Sequence, residues 1–208
     1  MRDAVARRRP REDGTPAVGA ASTLRSALDP GKQWSPDHVI EGDNQGLRLS
    51  ARHVSVDLHD FLADAEEAGR AAEEGREAEA RALLSDLLAE HAGEAFEDDP
   101  YETWASEVRD HVRAVRVQSL RTAARLAGRA GDIDDAVVHL VRLLAVDPYD
   151  EPAHQLLVTV LVRARRHGEA RRAFDRWTRA NLEIGAQPPD PARFFSGSDA
   201  SSDSSVRL

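Results

Sequence analysis

Two stretches of the chain carry nearly the same text 37 residues apart. The run QSLRTAARLAGRAGDIDDAVVHLVRLLAVDP overlays QLLVTVLVRARRHGEARRAFDRWTRANLEIG, so Gln118 meets Gln155, Leu120 meets Leu157, Ala127 meets Ala164, Gly131 meets Gly168 and Ala136 meets Ala173. Each run reads as a helical hairpin. A hairpin that recurs end on end cannot bury its apolar face alone, and stacking its copies gives one continuous core with an extended outer surface. The self-similarity therefore predicts an all-α array of tetratricopeptide-like hairpins, an architecture that binds along a surface.

A third copy lies upstream. Gly75, Ala80, Leu84 and Leu87 match Gly131, Ala136, Leu140 and Leu143, and match again Gly168, Ala173, Trp177 and Ala180. The glycines are expected at the hairpin turns, where a left-handed backbone carries no side-chain penalty, and the alanines where two helices approach closely. Helix is predicted to dominate from about Asp57 to about Glu183, with Asp57 as first cap and Phe61, Ala65, Ala68 and Ala72 as an apolar stripe. A long helix from Tyr101 to Arg129, with Pro100 at its start, would point Trp104, Val108, His111, Val115, Leu120, Ala124 and Ala127 inward. After Gly185, Phe194 and Phe195 are expected to fold back onto the array.

The ends read differently. Residues 1–21 contain Pro10, Gly14, Pro16 and Gly19 without apolar periodicity and are expected to be flexible. Residues 22–54 read as a helix capped by Ser22 or Thr23, then two short strands, Val39–Ile40 and Leu47–Leu49, around a turn-forming run at 42–46. The array fills 55–195, and the Ser/Asp-rich segment 196–208 has too little apolar side chain to offset the entropy of ordering.

Composition narrows the functions open to such a chain. With 208 residues and 41% apolar content it can bury a real core. The absence of cysteine excludes disulfides, thiolate zinc sites and a thiol nucleophile. No signal-peptide core or 18-residue apolar run is present, so a cytoplasmic protein without a membrane partner is expected. The net charge of -9 is unevenly spread: residues 56–107 hold 17 acids against three Arg, whereas 108–180 hold 14 Arg against nine acids. The eight His show no HExxH spacing, and no phosphate loop, GxSxG elbow or dinucleotide turn occurs. Neither a cofactor, a metal nor a catalytic residue is expected.

The strings STLRSALDPGKQWSPDHVIEGDNQGLRL, VSVDLHDFLADAE, FEDDPYETWASEVR and AVDPYDEPAHQLLVTVLVRARRHGEARRAF resemble the bacterial transcriptional activator domain of the Streptomyces antibiotic regulatory protein family. The resemblance covers about residues 22–194. It implies transcription regulation, with a winged-helix DNA-binding module ahead of a tetratricopeptide-like domain. Ser22–Leu28 then corresponds to the end of the recognition helix and His38–Leu49 to the wing. The N-terminal sheet and first two helices of a winged helix are not recognisable in residues 1–20, so this part is a partial remnant. The expected action is through protein contacts, with the transcription machinery or a second copy as partner. Direct DNA contact is not expected of this chain alone. A free-standing tetratricopeptide-like adaptor for a peptide or protein is the alternative.

Candidate contact residues follow. Arg25 on the helix and Arg48 on the wing are placed for base and phosphate contact, against the plainer alternative of solvated charges. Arg7, Arg8 and Arg9 add a basic end. In the array, Gln118, Arg121, Arg125 and Arg129 share one helix, with Gln155, Arg165 and Arg166 near corresponding positions of the next; by analogy with tetratricopeptide arrays they face the inner groove. Several guanidiniums there would clamp carboxylates of an extended partner, or else pair with neighbouring Asp and Glu as ordinary surface charge. Phe96, Tyr101 and Trp104 are expected to anchor the acidic linker against the core, and Trp177 to be packing.

Overall fold

The computed structural model describes residues 15–35, 37–43, 46–50, 52–91, 93, 95–97 and 103–195. The expected basic end at Arg7–Arg9, Pro100 and Tyr101, and the segment 196–208 lie outside the described residues. The chain forms two compact units, Met1–Asp57 and Leu58–Leu208.

In the first unit, α1 (Thr15–Leu28) precedes an antiparallel hairpin of β1 (Ile40–Asp43) and β2 (Gly46–Leu49). Ile40 pairs with Leu49 and Glu41 with Arg48. Helix α1 starts well before the predicted caps. Ser22 and Thr23 lie inside it: Thr23 Oγ1 donates to the Gly19 carbonyl at 3.1 Å, and Ser26 Oγ to the Ser22 carbonyl at 2.9 Å. Hydroxyls that bond back four residues satisfy themselves within a helix and cannot serve as its cap. Among the described residues of this unit, Ala21, Ile40 and Ser50 are buried.

The second unit is all-helical: α2 (Asp57–Glu73, its first residue at the unit boundary), α3 (Glu77–Glu90), a single 3-10 turn Thr103–Ala105, α4 (Ser106–Ala130), α5 (Ile133–Val146), α6 (Glu151–Arg163), α7 (His167–Glu183) and the short α8 (Ala192–Phe195). Helix α3 packs on α4, α4 on α5, α5 on α6 and α6 on α7. One apolar cluster runs through all of them, from Phe61 and Ala68 through Leu84, Leu120 and Leu140 to Leu157 and Trp177. At roughly 1.5–3 kcal/mol per fully buried large apolar side chain, this shared cluster is the main stabilising term. Phe194 and Phe195 do fold back, meeting Phe174 at centroid distances of 6.1 and 5.5 Å and closing the last hairpin.

The hairpins recur with a different phase from the one the sequence suggests. Gly75 and Gly131 sit in left-handed bends at φ 78° and 80°, but the third bend belongs to Arg165, at φ 58°. Gly168 lies inside the first turn of α7. The bonding is equivalent at all three bends: the next residue's N–H reaches a carbonyl five residues back, Arg76 to Ala71, Asp132 to Ala127 and Arg166 to Leu161, each at 2.9 Å. This is the αL closure that satisfies the last carbonyls of a helix. Five residues on from the bend come Ala80, Ala136 and Ala170, and twelve on come Leu87, Leu143 and Trp177, all buried. The second and third hairpins are thus 34 residues apart. The predicted 37 is one short helical turn too long, and the error went unpunished because positions three apart share a helix face: Ala173 is buried as well.

The stripe on α4 holds at Leu120, Ala124 and Ala127 and, half-buried, at Val108 and Val115, and fails at Trp104 and His111. Trp104 is 62% exposed and His111 is exposed, while Ala105, Val112, Ser119, Leu120, Thr122, Ala123, Ala124, Leu126 and Ala127 are buried. The breadth of that face follows from position: α4 is flanked by α3 and α5 and must be lean on both sides, which is why small residues dominate it.

Candidate interaction surface

Most of the arginines predicted to line a groove have partners within the chain. Arg121 donates to Asp150 and, at 3.0 Å, to Gln118 Oε1. Asp150 is buried at the start of α6, where its other oxygen accepts the Ala153 N–H at 2.8 Å; one carboxylate caps the helix and fixes the guanidinium. Arg129 pairs with Glu77 on α3 at 3.1 Å. Arg166 is the first flanking residue of α7, not a residue of the preceding helix; it grips Glu169 through two nitrogens, each at 2.7 Å, and Asp134 of α5. These bonds, to Glu169 first, push the Arg166 pKa above its usual value, and the Arg166 bond holds the Glu169 carboxyl below its own. With Arg81 bridging to Asp132 and Asp135, they form a seam joining consecutive hairpins near their bends. Arg125, Gln155 and Arg165 remain exposed. The structure therefore spreads the seven groove candidates over α4, α6 and the bend before α7, with Arg121, Arg129 and Arg166 held in internal pairs.

The two candidates for DNA contact are paired too. Arg25 donates to Asp37 Oδ1 at 3.0 Å and to the Ile40 carbonyl at 2.8 Å, joining α1 to the hairpin. Arg48 pairs with Glu41 at 2.7 Å while staying largely exposed. Glu41 accepts from Ser50 as well, and these bonds, the one from Ser50 foremost, keep its carboxyl below the usual range.

A feature that no motif announced lies on the opposite helices. Between α5 and α7, the second helices of consecutive hairpins, opens a cleft of about 620 Å³. Val141, Leu144 and Ala145 form its α5 wall, and Arg176, Arg179 and Ala180 its α7 wall. His154 of α6 lines it as well, buried, with Nε2 against the Pro148 carbonyl at 2.9 Å. Burial pushes the His154 pKa down, the Pro148 bond opposing it, so the ring is neutral at pH 7. The signal in the sequence was Val138 with Val141, two valines three apart on α5, with 44% and 48% of their surface exposed.

The aromatic cluster departs from expectation. Phe96 and Trp104 pack edge to face at 5.1 Å, both exposed, in place of anchoring on the core. Trp177 is core, as expected, stacked parallel to His154 at 6.2 Å. No group of three or more His, Asp or Glu with metal-binding proximity occurs among the described residues, and no helix among them is long and apolar enough to cross a membrane.

A helical-hairpin array with internally paired edges and an open lateral cleft defines the class, a scaffold of tetratricopeptide type. Residues 56–192 match the Bacterial transcriptional activator domain, and the chain belongs to that family of transcription regulators. Among solved structures it is similar to Mycobacterium tuberculosis EmbR in complex with a low affinity phosphopeptide, with TM-score 0.69 and 24% identity, covering 88% of this chain and 48% of that one. The chain thus spans about half of the EmbR chain. A second similarity, TM-score 0.49 and 14% identity over 62% of this chain and 83% of the other, is to the C-terminal TPR-containing domain of a Plasmodium falciparum protein named as FK506-binding. No curated protein matches the sequence.

Proposed function

We propose that the chain is a noncatalytic, cytoplasmic regulator of transcription that acts through protein–protein contacts of its helical array. The observation that carries this reading is the open cleft between α5 and α7, with Val141 exposed on its α5 wall and Val138 exposed one turn earlier. Exposed apolar surface of this kind marks a place where another chain is bound. Fusing the chain to an unrelated DNA-binding domain, at that domain's operator beside a reporter promoter, tests the proposal. Reporter output is expected to change relative to the DNA-binding domain alone; identical output would overturn the reading. A band-shift assay completes the test. No sequence-specific complex of the unfused chain is expected at physiological salt, and one that persists there would restore direct DNA contact.

A further inference from the structure

We propose that the cleft between α5 and α7 docks an acidic amphipathic segment of a protein partner, its apolar side chains against Val141, Leu144 and Ala145 and its carboxylates on Arg176 and Arg179. This rests on the reading of the array as a protein-contact scaffold and names the face and the chemistry of the occupant.

The two walls differ in kind. The α5 wall offers apolar side chains, with Val141 48% exposed and Val138 continuing the same helix face one turn earlier. The α7 wall offers guanidiniums outside the internal ion pairs of the array, as Arg125 and Arg165 are. Arg76, Arg81, Arg121, Arg129 and Arg166 each hold a carboxylate. Arg176 and Arg179 hold none among the described residues; Arg179 reaches only the Asp175 carbonyl, at 3.3 Å. The one acid lining the cleft, Glu183, accepts the Tyr149 hydroxyl at 3.4 Å. His154 adds an aromatic ring whose Nδ1 has no partner. An occupant complementary to both walls is apolar on one side and anionic on the other, the pattern of an acidic amphipathic helix read at i, i+3 and i+4.

The acidic hairpin of a second copy, α2 with α3, does not supply that pattern: it has the charge, but its apolar face, Phe61, Ala68, Ala71, Ala80 and Leu84, is already spent in its own core. Phe96 and Trp104, exposed in an acidic stretch of sequence, are told apart from a partner's segment by sedimentation.

The test uses the full chain and a fluorescent synthetic peptide with Leu at helical spacing and Glu elsewhere, followed by anisotropy. Saturable binding that weakens with salt is expected. Arg176→Glu with Arg179→Glu, and separately Val141→Asp, are each expected to weaken it by roughly tenfold or more, with circular dichroism melts unchanged. Arg125→Ala with Arg165→Ala, at the predicted inner-groove positions, should leave it unaltered. A peptide with Lys in place of Glu, or with the same residues in scrambled order, should not bind. Failure of the Leu/Glu peptide to bind, equal affinity for the charge-reversed protein, or preference for the Lys peptide would overturn the proposal. So would sedimentation showing a dimer that these same substitutions dissociate, since a second copy would then fill the cleft. A reporter effect that survives the cleft substitutions would sink the cleft while leaving protein contact standing.

Discussion

The second hairpin bends at Gly131 and the third at Arg165, through the same hydrogen bonds. Gly131 N–H reaches Gly128 O at 3.3 Å and Arg165 N–H reaches Val162 O at 3.0 Å, and in each the following N–H returns to a carbonyl five residues back. Glycine occupies the left-handed position freely, whereas an L side chain there costs about 1–2 kcal/mol. The third hairpin accepts that cost because Ala170 and Trp177 on one side and Leu161 on the other fix where its helices lie. Packing selects the bend, and the residue at the bend only tunes it.

The largest test of this equivalence is at the core positions twelve residues beyond each bend. Leu143→Ala and Trp177→Ala are expected to destabilise by about 2–5 and 3–5 kcal/mol in urea denaturation, and a loss well under 1 kcal/mol at either would show that the positions do not correspond. Next come the caps. Asp150→Ala removes the cap of α6 and the Arg121 partner together, for about 2 kcal/mol; Asp132→Ala, whose bond to the Asp135 N–H is a longer 3.3 Å and exposed, costs about 1 kcal/mol or less. Because Asp132 also holds Arg81, equal losses would mean that burial adds nothing to the Asp150 pair.

The bends themselves come third. A Cβ on Gly131 would meet nothing within 4 Å, so Gly131→Ala measures backbone strain alone, about 1 kcal/mol. The reciprocal Arg165→Gly is expected to stabilise by about 0.5–1 kcal/mol, relief of strain being partly offset by a looser unfolded chain. Destabilisation by Arg165→Gly would assign the Arg165 side chain a structural contact.

The smallest effect is on pH, and each hairpin carries one reporter. His139 on α5 is pushed below its ordinary 6.5 by burial first, with Asp135 opposing and Arg142 and Arg81 reinforcing. His154 on α6 is pushed down by burial first, with Arg176 reinforcing and Pro148, Asp150 and Asp147 opposing. A ring with a lowered folded-state pKa binds its proton more readily unfolded, so its stabilisation is complete above about 6.5 and declines as pH falls below it. Melting curves should show that decline, and His139→Asn and His154→Asn should each flatten it; parallel curves would place its origin in the carboxylates.

Much of the architecture was legible because helix periodicity and small residues at close approaches are local properties: the hairpins and the return of Phe194 and Phe195 were readable. The phase of the last hairpin was not, because Gly168 stands near the bend while Arg165, which makes it, carries no turn signal, and a three-residue slip along a helix preserves the apolar pattern. Trp104 misled for a related reason. A large aromatic beside a helix start reads as an anchor, but the adjacent Ala105 is what fits beneath it.

The amino-acid order by itself determined that paired helices would stack, since spacing and side-chain size dictate which faces must leave water. Which guanidiniums are spent and which are left open was decided only in three dimensions. Arg81 meets Asp132 across 51 residues, Arg129 meets Glu77 across 52 and Arg166 meets Asp134 across 32. A charge pair forms where stacked helices bring two side chains within a few ångströms, a distance that sequence separation does not encode.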